Sequence, residues 1–480
     1  MRVVAITHVA VVDLAPSPAA DLAADTATAP ATDLTPKRTT IGTLRRDFTV
    51  VVAGQRIAAI GPSRDIAIPA DARVVDATGK YLIPGLWDMH VHLTGAGEPT
   101  GSRQFIVPLL VVNGITGVRD MGGPLDALLA IRQEIWSGKL VGPRIALSGP
   151  YLDGPQPAFQ PSIALSDARS SRLAVQWLSE RGVDFIKVQS LLPREAYFAI
   201  AEEARRLKIP FAGHVPETVG AAEASDAGQK SIEHLTNVLL GCGILKNVPV
   251  EKEPDPGAES AEARHERQWE QMLLSGFDSK KASALFAVFV RNRTWQSPTL
   301  IMIRNMGLAT AEEELLTDPR LAFVPEAVRK NWRRDREDRL GGRTPEALAL
   351  RREFLQKQIA VTGAMRRAGV EFLAGTDTAA PYVFPGSSLH EELELFVQAG
   401  FTPVEALASA TINPARYLGM EDKLGAIEVG KLADLVLLEG NPLEDIRNTR
   451  KIVAVILNGR LLDRRQLDEI SARVAARGKH

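Results

Sequence analysis

The sequence predicts an α/β protein in which a (β/α)8 TIM barrel is joined to a small β-sandwich domain built from both chain ends. Strand-like and helix-like runs alternate through the middle of the chain, a pattern typical of parallel sheets with helical connections. Near both termini, strand-like runs follow one another with few helices between them. Polar side chains that can bind metals come at the ends of several central strands, where barrel active sites lie.

Composition narrows the class of protein. The 480 residues are 45% hydrophobic and 24% charged, with a formal net charge of −1, which gives no electrostatic case for binding nucleic acid or an anionic membrane. Cys242 is the single cysteine, which excludes an intramolecular disulfide framework. The start, MRVVAITHVAVVDLAP, reads as a strand and not as an export signal, and no apolar run reaches the roughly 18 residues of a membrane-spanning helix. We therefore expect a cytoplasmic protein with a small-molecule substrate, and leave homo-oligomerisation open.

Residues 1–80 and 419–480 are predicted to form the sandwich. The C-terminal part contributes the strand-like runs ADLVLLEG and KIVAVILNGRLL, which we expect to pair with the N-terminal strands. The segment from about 15 to 40 is rich in Ala, Asp, Thr and Pro, so it predicts a mobile surface loop. The N-terminal strands are predicted at 2–13, 48–60 and 72–75.

Residues 81–418 are predicted to form the barrel, with helices between eight strands. Two insertions, 241–290 and 310–352, follow strands, a position from which they can cover the barrel mouth. The run RKNWRRDREDRLGGR in the second insertion predicts a solvated helix surface. The predicted barrel strands are 81–94, 115–119, 144–148, 185–189, 210–215, 231–235, 294–301 and 371–376.

The stretch YLIPGLWDMHVHLT carries the first candidate site. Asp88, His90 and His92 alternate with apolar residues, so a strand places all three on one face, and the two imidazoles can hold one metal ion. Taken alone, a His-x-His pair is more often an accident of a polar strand end than a ligand pair. Asp88 is expected to orient a ligand or to play a structural part.

Other polar residues at predicted strand ends strengthen the case. Each has an ordinary explanation: a rim lysine, a turn residue, a buried histidine bonded to the backbone, or a helix cap. Jointly those explanations require coincidences at equivalent positions of several strands, whose carboxyl ends converge on one face of a barrel. The complete set is His90, His92, Lys187, His214, His234 and Asp377.

Four neutral imidazoles and a carboxylate suit zinc or a similar divalent ion. An ammonium group has no lone pair to donate, so Lys187 cannot join the ligands as it stands. Lys187 is therefore either deprotonated and catalytic, or chemically converted into an anionic ligand.

At this point the chain resembles the amidohydrolase superfamily. The resemblance rests on DATGKYLIPGLWDMHVHL, NGITGVRDMG, FIKVQ, GHV, SIEHL, LAGTD and LGAIEVGKLADLVLLEGNPLEDI, which span nearly the whole sequence. It is closest to the branch of prolidase-like dipeptidases, imidazolonepropionase-like enzymes, N-acyl-amino-acid hydrolases and ochratoxin-hydrolysing amidases. After His214 the chain reads Val-Pro-Glu-Thr, where a dipeptidase is expected to have a Tyr-Gly or similar turn, so substrate residues are not carried over.

The resemblance implies a binuclear centre. His90, His92 and Asp377 would bind one divalent ion and His214 and His234 the other, with zinc as the expected metal. Lys187 would be carbamylated and bridge the two ions.

The expected activity is hydrolysis of an amide, peptide-like bond in a dipeptide, an N-acyl amino acid or an aryl amide such as ochratoxin. Attack would come from a metal-bridging hydroxide, and Asp377 would pass its proton to the departing amine. Arg119, Tyr151 and Gln189, at or after other strand ends, are candidate substrate residues; Arg119 could bind a substrate carboxylate or pair with Asp120.

Three alternatives stay open. The same centre suits a lactonase or phosphotriesterase-like hydrolase, because it attacks carbonyl and phosphoryl centres alike. A mononuclear imidazolonepropionase-like or deaminase-like enzyme follows if Lys187 is not carbamylated. A non-catalytic scaffold is the least favoured, because all six ligand-type residues are present.

Overall fold

The computed structural model describes residues 3–14, 42–94, 101–243, 261–307, 312–340 and 342–477. The chain divides into two compact units, one of residues 1–86 and 400–467 and the other of residues 87–399 and 468–480. The predicted mobile loop at 15–40 lies outside the described residues, as do parts of both insertions. Among the described helices, none has the length and apolarity needed to cross a bilayer.

The strands of the described residues alternate with helices through the second unit, as predicted. In chain order they are β1 (Val3–Asp13), β2 (Thr43–Ala53), β3 (Arg56–Pro62), β4 (Arg73–Asp76), β5 (Tyr81–Pro84), β6 (Leu86–Val91), β7 (Ile115–Asp120), β8 (Arg144–Leu147), β9 (Tyr151–Asp153), β10 (Ser162–Ala164), β11 (Ile186–Val188), β12 (Phe211–Gly213), β13 (Ser231–Glu233), β14 (Trp295–Ser297), β15 (Leu435–Leu438), β16 (Ile452–Leu457) and β17 (Arg460–Asp463).

The α-helices of the described residues are α1 (Val107–Val112), α2 (Leu125–Trp136), α3 (Ala168–Glu180), α4 (Arg194–Leu207), α5 (Ala221–Asp226), α6 (Val238–Gly241), α7 (Ala261–Gly276), α8 (Ser279–Asn292), α9 (Leu300–Met306), α10 (Glu312–Leu316), α11 (Glu326–Leu340), α12 (Pro345–Arg367), α13 (Ser387–Gln398), α14 (Pro403–Ser409), α15 (Ile412–Leu418) and α16 (Arg464–Arg477). The final helix, α16, is absent from the sequence prediction.

The first unit contains one mixed sheet of eight strands in the order β17-β16-β15-β5-β1-β2-β3, with β4 beside β1. The strands of both chain ends share this sheet, but β15 pairs antiparallel with β5, a segment predicted to belong to the barrel, and not with one of the predicted N-terminal strands. Valine and isoleucine side chains of β1, β2 and β16 form its buried core, consistent with the preference of β-branched residues for strands. The described strands of the first unit form a single sheet, so the predicted β-sandwich is not confirmed.

The second unit has an α/β, TIM-barrel-type arrangement of parallel strands and helices. Its strands fall into a three-stranded sheet, β6-β7-β8, and a six-stranded sheet, β10-β9-β11-β12-β13-β14. Residues 371–374 connect them on one side, because Leu373 N donates to Gln296 O on β14 (2.9 Å) and Met89 N on β6 donates to Ala374 O (2.8 Å). The predicted strand at 371–376 is thus a hydrogen-bonded segment with isolated bridges, and the sheet is not continuously closed.

The stretch predicted as one strand at 81–94 is divided at Gly85. Before it, β5 belongs to the eight-stranded sheet; after it, β6 belongs to the three-stranded sheet. Pro84 lacks an N–H group, and Gly85 N donates to Asp434 O at 2.7 Å, so the chain leaves the first sheet at this point. The two histidines of the motif consequently lie on β6 or directly after it.

The described parts of the insertions are helical. Arg351 of α12 binds Glu266 and Glu270 of α7, the latter at 3.0 Å. The helix α11 carries the predicted mixed-charge run and is exposed along much of its length, as expected. Trp332, however, is buried against Tyr382 and Phe384, in the loop that follows Asp377. The charge run is therefore a solvated surface with one apolar anchor.

Candidate metal centre

Strand β6 and the segment after residue 374 bring three predicted ligands together. His90 is fully buried within β6, and His92 follows the strand. Asp377 N donates to His90 O at 2.8 Å, which holds the aspartate beside the strand. Asp377 Oδ1 lies 3.1 Å from His92 Nε2 and 3.4 Å from His90 Nε2, and one ligand atom of each residue lies within 4.8 Å of the others. These residues form the His90–His92–Asp377 cluster.

His214 and His234 continue the site along the next strands. They follow β12 and β13 directly, and parallel pairing keeps those strands adjacent. The His234 ring centroid lies 4.5 Å from that of His90 and 4.9 Å from that of His214. The four predicted histidines therefore form one group of rings.

Hydrogen bonds at Nδ1 orient the four rings. The Nδ1 partners are Glu233 Oε2 for His90 (2.9 Å), Gly122 O for His92 (2.9 Å), Ser190 Oγ for His214 (2.7 Å) and Thr299 Oγ1 for His234 (2.7 Å). A carboxylate and a carbonyl only accept, and the Thr299 hydroxyl already donates to Pro298 O at 2.8 Å. The proton is thus on Nδ1 in His90, His92 and His234, which leaves Nε2 with a lone pair for a metal.

Protonation states also suit metal binding. Burial lowers the pKa of His90 and His214 well below the ordinary value and that of His234 to about 4, so these rings are neutral near pH 7. Burial alone would raise the pKa of Asp377, but the neighbouring histidines outweigh it and the pKa is lowered. In the cluster, His90 is therefore neutral and Asp377 is ionised. The pKa of His92 is raised instead, because the lowering effect of burial is outweighed by the hydrogen bond with Asp377 and the charge of that carboxylate.

Lys187 occupies the middle of β11 and is 1% exposed. Burial lowers the pKa of its ammonium group to about 8, with nearby Arg119 acting in the same direction and Glu233 and Asp377 opposing it. Gly213 on the neighbouring strand gives the lysine room, because a Cβ there would stand 3.0 Å from Lys187 Cδ. The buried amine is thus shifted toward its neutral form.

The residues present fit a divalent ion at the His90–His92–Asp377 cluster. His90 Nε2 is a buried nitrogen that makes no hydrogen bond within the described residues, and it faces the carboxylate of Asp377. Two imidazole nitrogens and a carboxylate oxygen are a donor set that zinc accepts. A bound ion would take the place of the contact between His92 Nε2 and Asp377 Oδ1, while the Nδ1 hydrogen bonds of His90 and His92 would stay as they are.

Comparison with known proteins identifies the family. Residues 81–265 and 297–462, more than half of the chain, match the model of the amidohydrolase family. The chain belongs to the amidohydrolase family. The predicted resemblance is therefore confirmed, and membership makes this protein a hydrolase.

Individual relatives of this amidohydrolase are distant. Ochratoxinase of Aspergillus niger is 26% identical over 461 residues, covering 84% of this chain and 79% of its own. Imidazolonepropionase of Symbiobacterium thermophilum is 24% identical, covering 80% and 81% respectively. A Xaa-Pro dipeptidase solved with methionine bound in its active site superposes with a TM-score of 0.65 at 20% identity, covering 96% of this chain and all of that one, and shares the fold.

Arg119 has a different position from the one predicted. It is fully buried, and its guanidinium donates to Met89 O (2.6 Å), Ser231 Oγ (2.8 Å) and both carboxylate oxygens of Glu233 (2.9 Å each). Its partner is Glu233, and Asp120 instead accepts the backbone N–H groups of Leu93 and Gly122. The proposed contact of Arg119 with a substrate carboxylate is therefore withdrawn.

Tyr151 and Gln189 lie nearer the expected positions. Tyr151 Oη is 3.0 Å from His92 Nδ1, and its ring packs against the backbone of Gly122, where a Cβ would stand 2.1 Å from the tyrosine ring. Gly122 adopts φ +148°, which also favours glycine. Gln189 follows β11, and its Oε1 is buried with no hydrogen-bond partner in the described part of the chain. Both side chains stay candidate substrate residues.

Two buried carboxylates hold the residues of the site in position: Glu233, which the sequence analysis did not single out, and Asp88, which it did. Glu233 joins Arg119 to His90 and is fully buried. Asp88 accepts from His90 N (3.2 Å), Thr376 N (3.0 Å) and Thr376 Oγ1 (2.6 Å), so it connects β6 to the residue before Asp377. A charged residue in the short strand SIE was the available signal for Glu233, and the structural role of Asp88 was one of the two expected.

Proposed function

We propose that this amidohydrolase cleaves an amide bond in a small-molecule substrate such as a dipeptide, an N-acyl amino acid or an aryl amide. The observation that carries the proposal is the convergence of His90, His92 and Asp377, whose ligand atoms lie within 4.8 Å of one another. The family assignment supports hydrolysis, and the names of ochratoxinase and the Xaa-Pro dipeptidase support an ochratoxin-like or dipeptide substrate.

We further propose two divalent ions, with zinc expected at both. One would be held by His90, His92 and Asp377 and the other by His214 and His234, with carbamylated Lys187 between them. The lowered pKa of Lys187 supports this, because an amine must be neutral to react with carbon dioxide. The neutral state of His214 and His234 supports the second ion in the same way.

A bound divalent ion would polarise the scissile carbonyl and lower the pKa of water at the site. Asp377 would accept a proton from the attacking water and deliver it to the leaving nitrogen, which must gain a proton to depart as an amine. The Nδ1 hydrogen of His92 would be shared between Gly122 O and the Tyr151 hydroxyl oxygen, which would leave the hydroxyl hydrogen available for a substrate oxygen. Gln189 Oε1 would accept from a substrate N–H group.

A second candidate is a single-ion hydrolase of the imidazolonepropionase kind. It is favoured by one observation: among the described residues, the ligand atoms that converge within 4.8 Å belong only to His90, His92 and Asp377. In that enzyme Lys187 would stay an amine and act without bridging.

Metal content distinguishes the two proposals. Elemental analysis of purified wild type, Lys187→Ala and a control, Lys139→Ala at an exposed position, gives the number of ions per chain. About two zinc ions in the wild type and control, falling in Lys187→Ala, is the binuclear result. About one ion in all three proteins contradicts the bridge and favours the single-ion enzyme. Turnover of N-acyl amino acids and dipeptides by the wild type then tests amide hydrolysis itself.

A further inference from the structure

We propose that Phe159 and Leu191 form an apolar rim that binds an aromatic or large aliphatic group of the substrate, beside the scissile amide. The term apolar rim refers to these two side chains throughout. The inference rests on the proposed amide hydrolysis and adds the class of substrate that the site selects.

A series of ring contacts leads from the histidines to Phe159. The centroids of His90 and His92 are 5.4 Å apart, those of His92 and Tyr151 are 5.8 Å apart, and those of Tyr151 and Phe159 are 6.5 Å apart. At the inner end His90 is fully buried, and Tyr151 is 8% exposed, whereas Phe159 at the outer end is 56% exposed. Phe159 therefore lies at the point where the wall of the site meets solvent.

Asp153 fixes the loop that carries Phe159. This residue ends β9 and is 1% exposed. Its Oδ1 accepts from Gly154 N at 2.9 Å and its Oδ2 from Ala158 N at 3.4 Å. Phe159 O accepts from Ser162 Oγ at 2.7 Å, and Ser162 lies opposite Tyr151 in the parallel β9–β10 pair. The loop that carries the phenyl ring is thus held in place by hydrogen bonds on both sides of Phe159.

The same aspartate fixes Leu191. Asp153 Oδ1 also accepts from Leu191 N at 2.9 Å, and a Cβ at Gly154 would stand 2.1 Å from Leu191 O, so the two loops are in direct contact. Leu191 follows Ser190, whose hydroxyl lies 2.7 Å from His214 Nδ1. Its side chain is 40% exposed. Tyr151 therefore lies between Phe159 and His92, and Ser190, the neighbour of Leu191 in the chain, contacts His214.

Exposure alone would not support this assignment, because single apolar side chains are common on protein surfaces. Trp136 and Leu173, for example, are 81% and 54% exposed on helices α2 and α3. What distinguishes the rim is that one buried carboxylate orients two exposed apolar residues from different loops beside the site. Rigid apolar surface next to the reacting bond is what a site needs to select an aryl or alkyl group.

Kinetics on a matched set of four amides tests the rim. The substrates are N-acetylglycine, N-acetylphenylalanine, N-benzoylglycine and N-benzoylphenylalanine, so an aromatic group is added on either side of the amide. The variants are Phe159→Ala and Leu191→Ala, with Trp136→Ala and Leu173→Ala as controls. We expect the rim to contact the substrate on one side of the amide only. Phe159→Ala should therefore lower kcat/KM about tenfold for the substrates that carry a ring on that side, and less than twofold for N-acetylglycine, which has no ring. The controls should leave all four values unchanged.

A uniform fall for all four substrates, or no change, would overturn the rim. Calorimetric binding of N-benzoylphenylalanine to wild type and Phe159→Ala tests the rim without turnover. If the wild type hydrolyses no amide but binds N-benzoylphenylalanine more tightly than Phe159→Ala does, the rim is supported and the proposed reaction is contradicted. Equal binding by both proteins, or no binding by either, overturns the rim.

Discussion

The two halves of the histidine group are oriented by different kinds of partner. On one half, His90 donates to Glu233, whose charge is balanced by buried Arg119. On the other, His214 and His234 contact the neutral hydroxyls of Ser190 and Thr299. An incomplete buried ion pair leaves a desolvated charge, whereas a lost hydroxyl leaves one unpaired nitrogen. The His90 half is therefore the more sensitive to single substitutions.

The largest expected effect is on Asp377, the ionised member of the His90 half. Asp377→Asn removes the proton acceptor while keeping the side-chain shape, so kcat should fall by about 10² to 10⁴-fold. The control is Asp167→Asn, at the exposed cap of α3. Steady-state kinetics and thermal unfolding measure both proteins. If Asp377→Asn kept more than a tenth of wild-type turnover, Asp377 would not be the proton carrier.

Glu233→Gln removes the carboxylate that pairs with Arg119 and His90 but leaves every predicted metal ligand in the sequence. The buried guanidinium of Arg119 then has no carboxylate to balance its charge, so the free energy of unfolding should fall by about 3–5 kcal/mol. Metal affinity should fall by about 10 to 100-fold, because His90 loses its orienting carboxylate. Denaturant titration and metal titration measure the two effects.

The double variant Glu233→Gln with Arg119→Met sharpens this result. Removing both charges should recover much of the stability but not the metal affinity. If the double and single variants were equally stable, the unpaired charge of Arg119 would not be the cause of the stability lost in Glu233→Gln.

The smallest effect is expected in the neutral half. Ser190→Ala and Thr299→Ala should each lower metal affinity about tenfold and stability by about 1 kcal/mol. Thr299→Ser keeps the hydroxyl and serves as the matched control, with metal affinity close to that of the wild type. Losses as large as those of Glu233→Gln would remove the distinction between the two halves.

Side chains at the ends of strands were the part of the site that the sequence could reveal. His90, His92, His214, His234 and Asp377 stand out because each is polar where an apolar strand stops. Ser190, Glu233 and Thr299 did not stand out, because their importance depends on contacts between strands far apart in sequence. The fold followed the same rule: alternating elements were predictable, whereas the division at Gly85 depends on a backbone bond to Asp434.

The position of Arg119 illustrates the limit most clearly. A strand pattern places a residue near a strand end but does not say whether a long side chain turns toward solvent or toward a carboxylate on another strand. Glu233 decides the matter, and it lies more than a hundred residues away in the chain. Location in the cell and oligomeric state stay predictions for a similar reason, since they depend on more than this chain.

Gly122 sets a boundary for redesign of the enzyme. A methyl group at this position would overlap the ring of Tyr151, and its carbonyl oxygen is the acceptor for His92. Libraries aimed at bulkier or smaller substrates can therefore vary Phe159 and Leu191, which border solvent. Position 122 should be held as glycine, because any side chain there would shift the tyrosine ring that contacts His92.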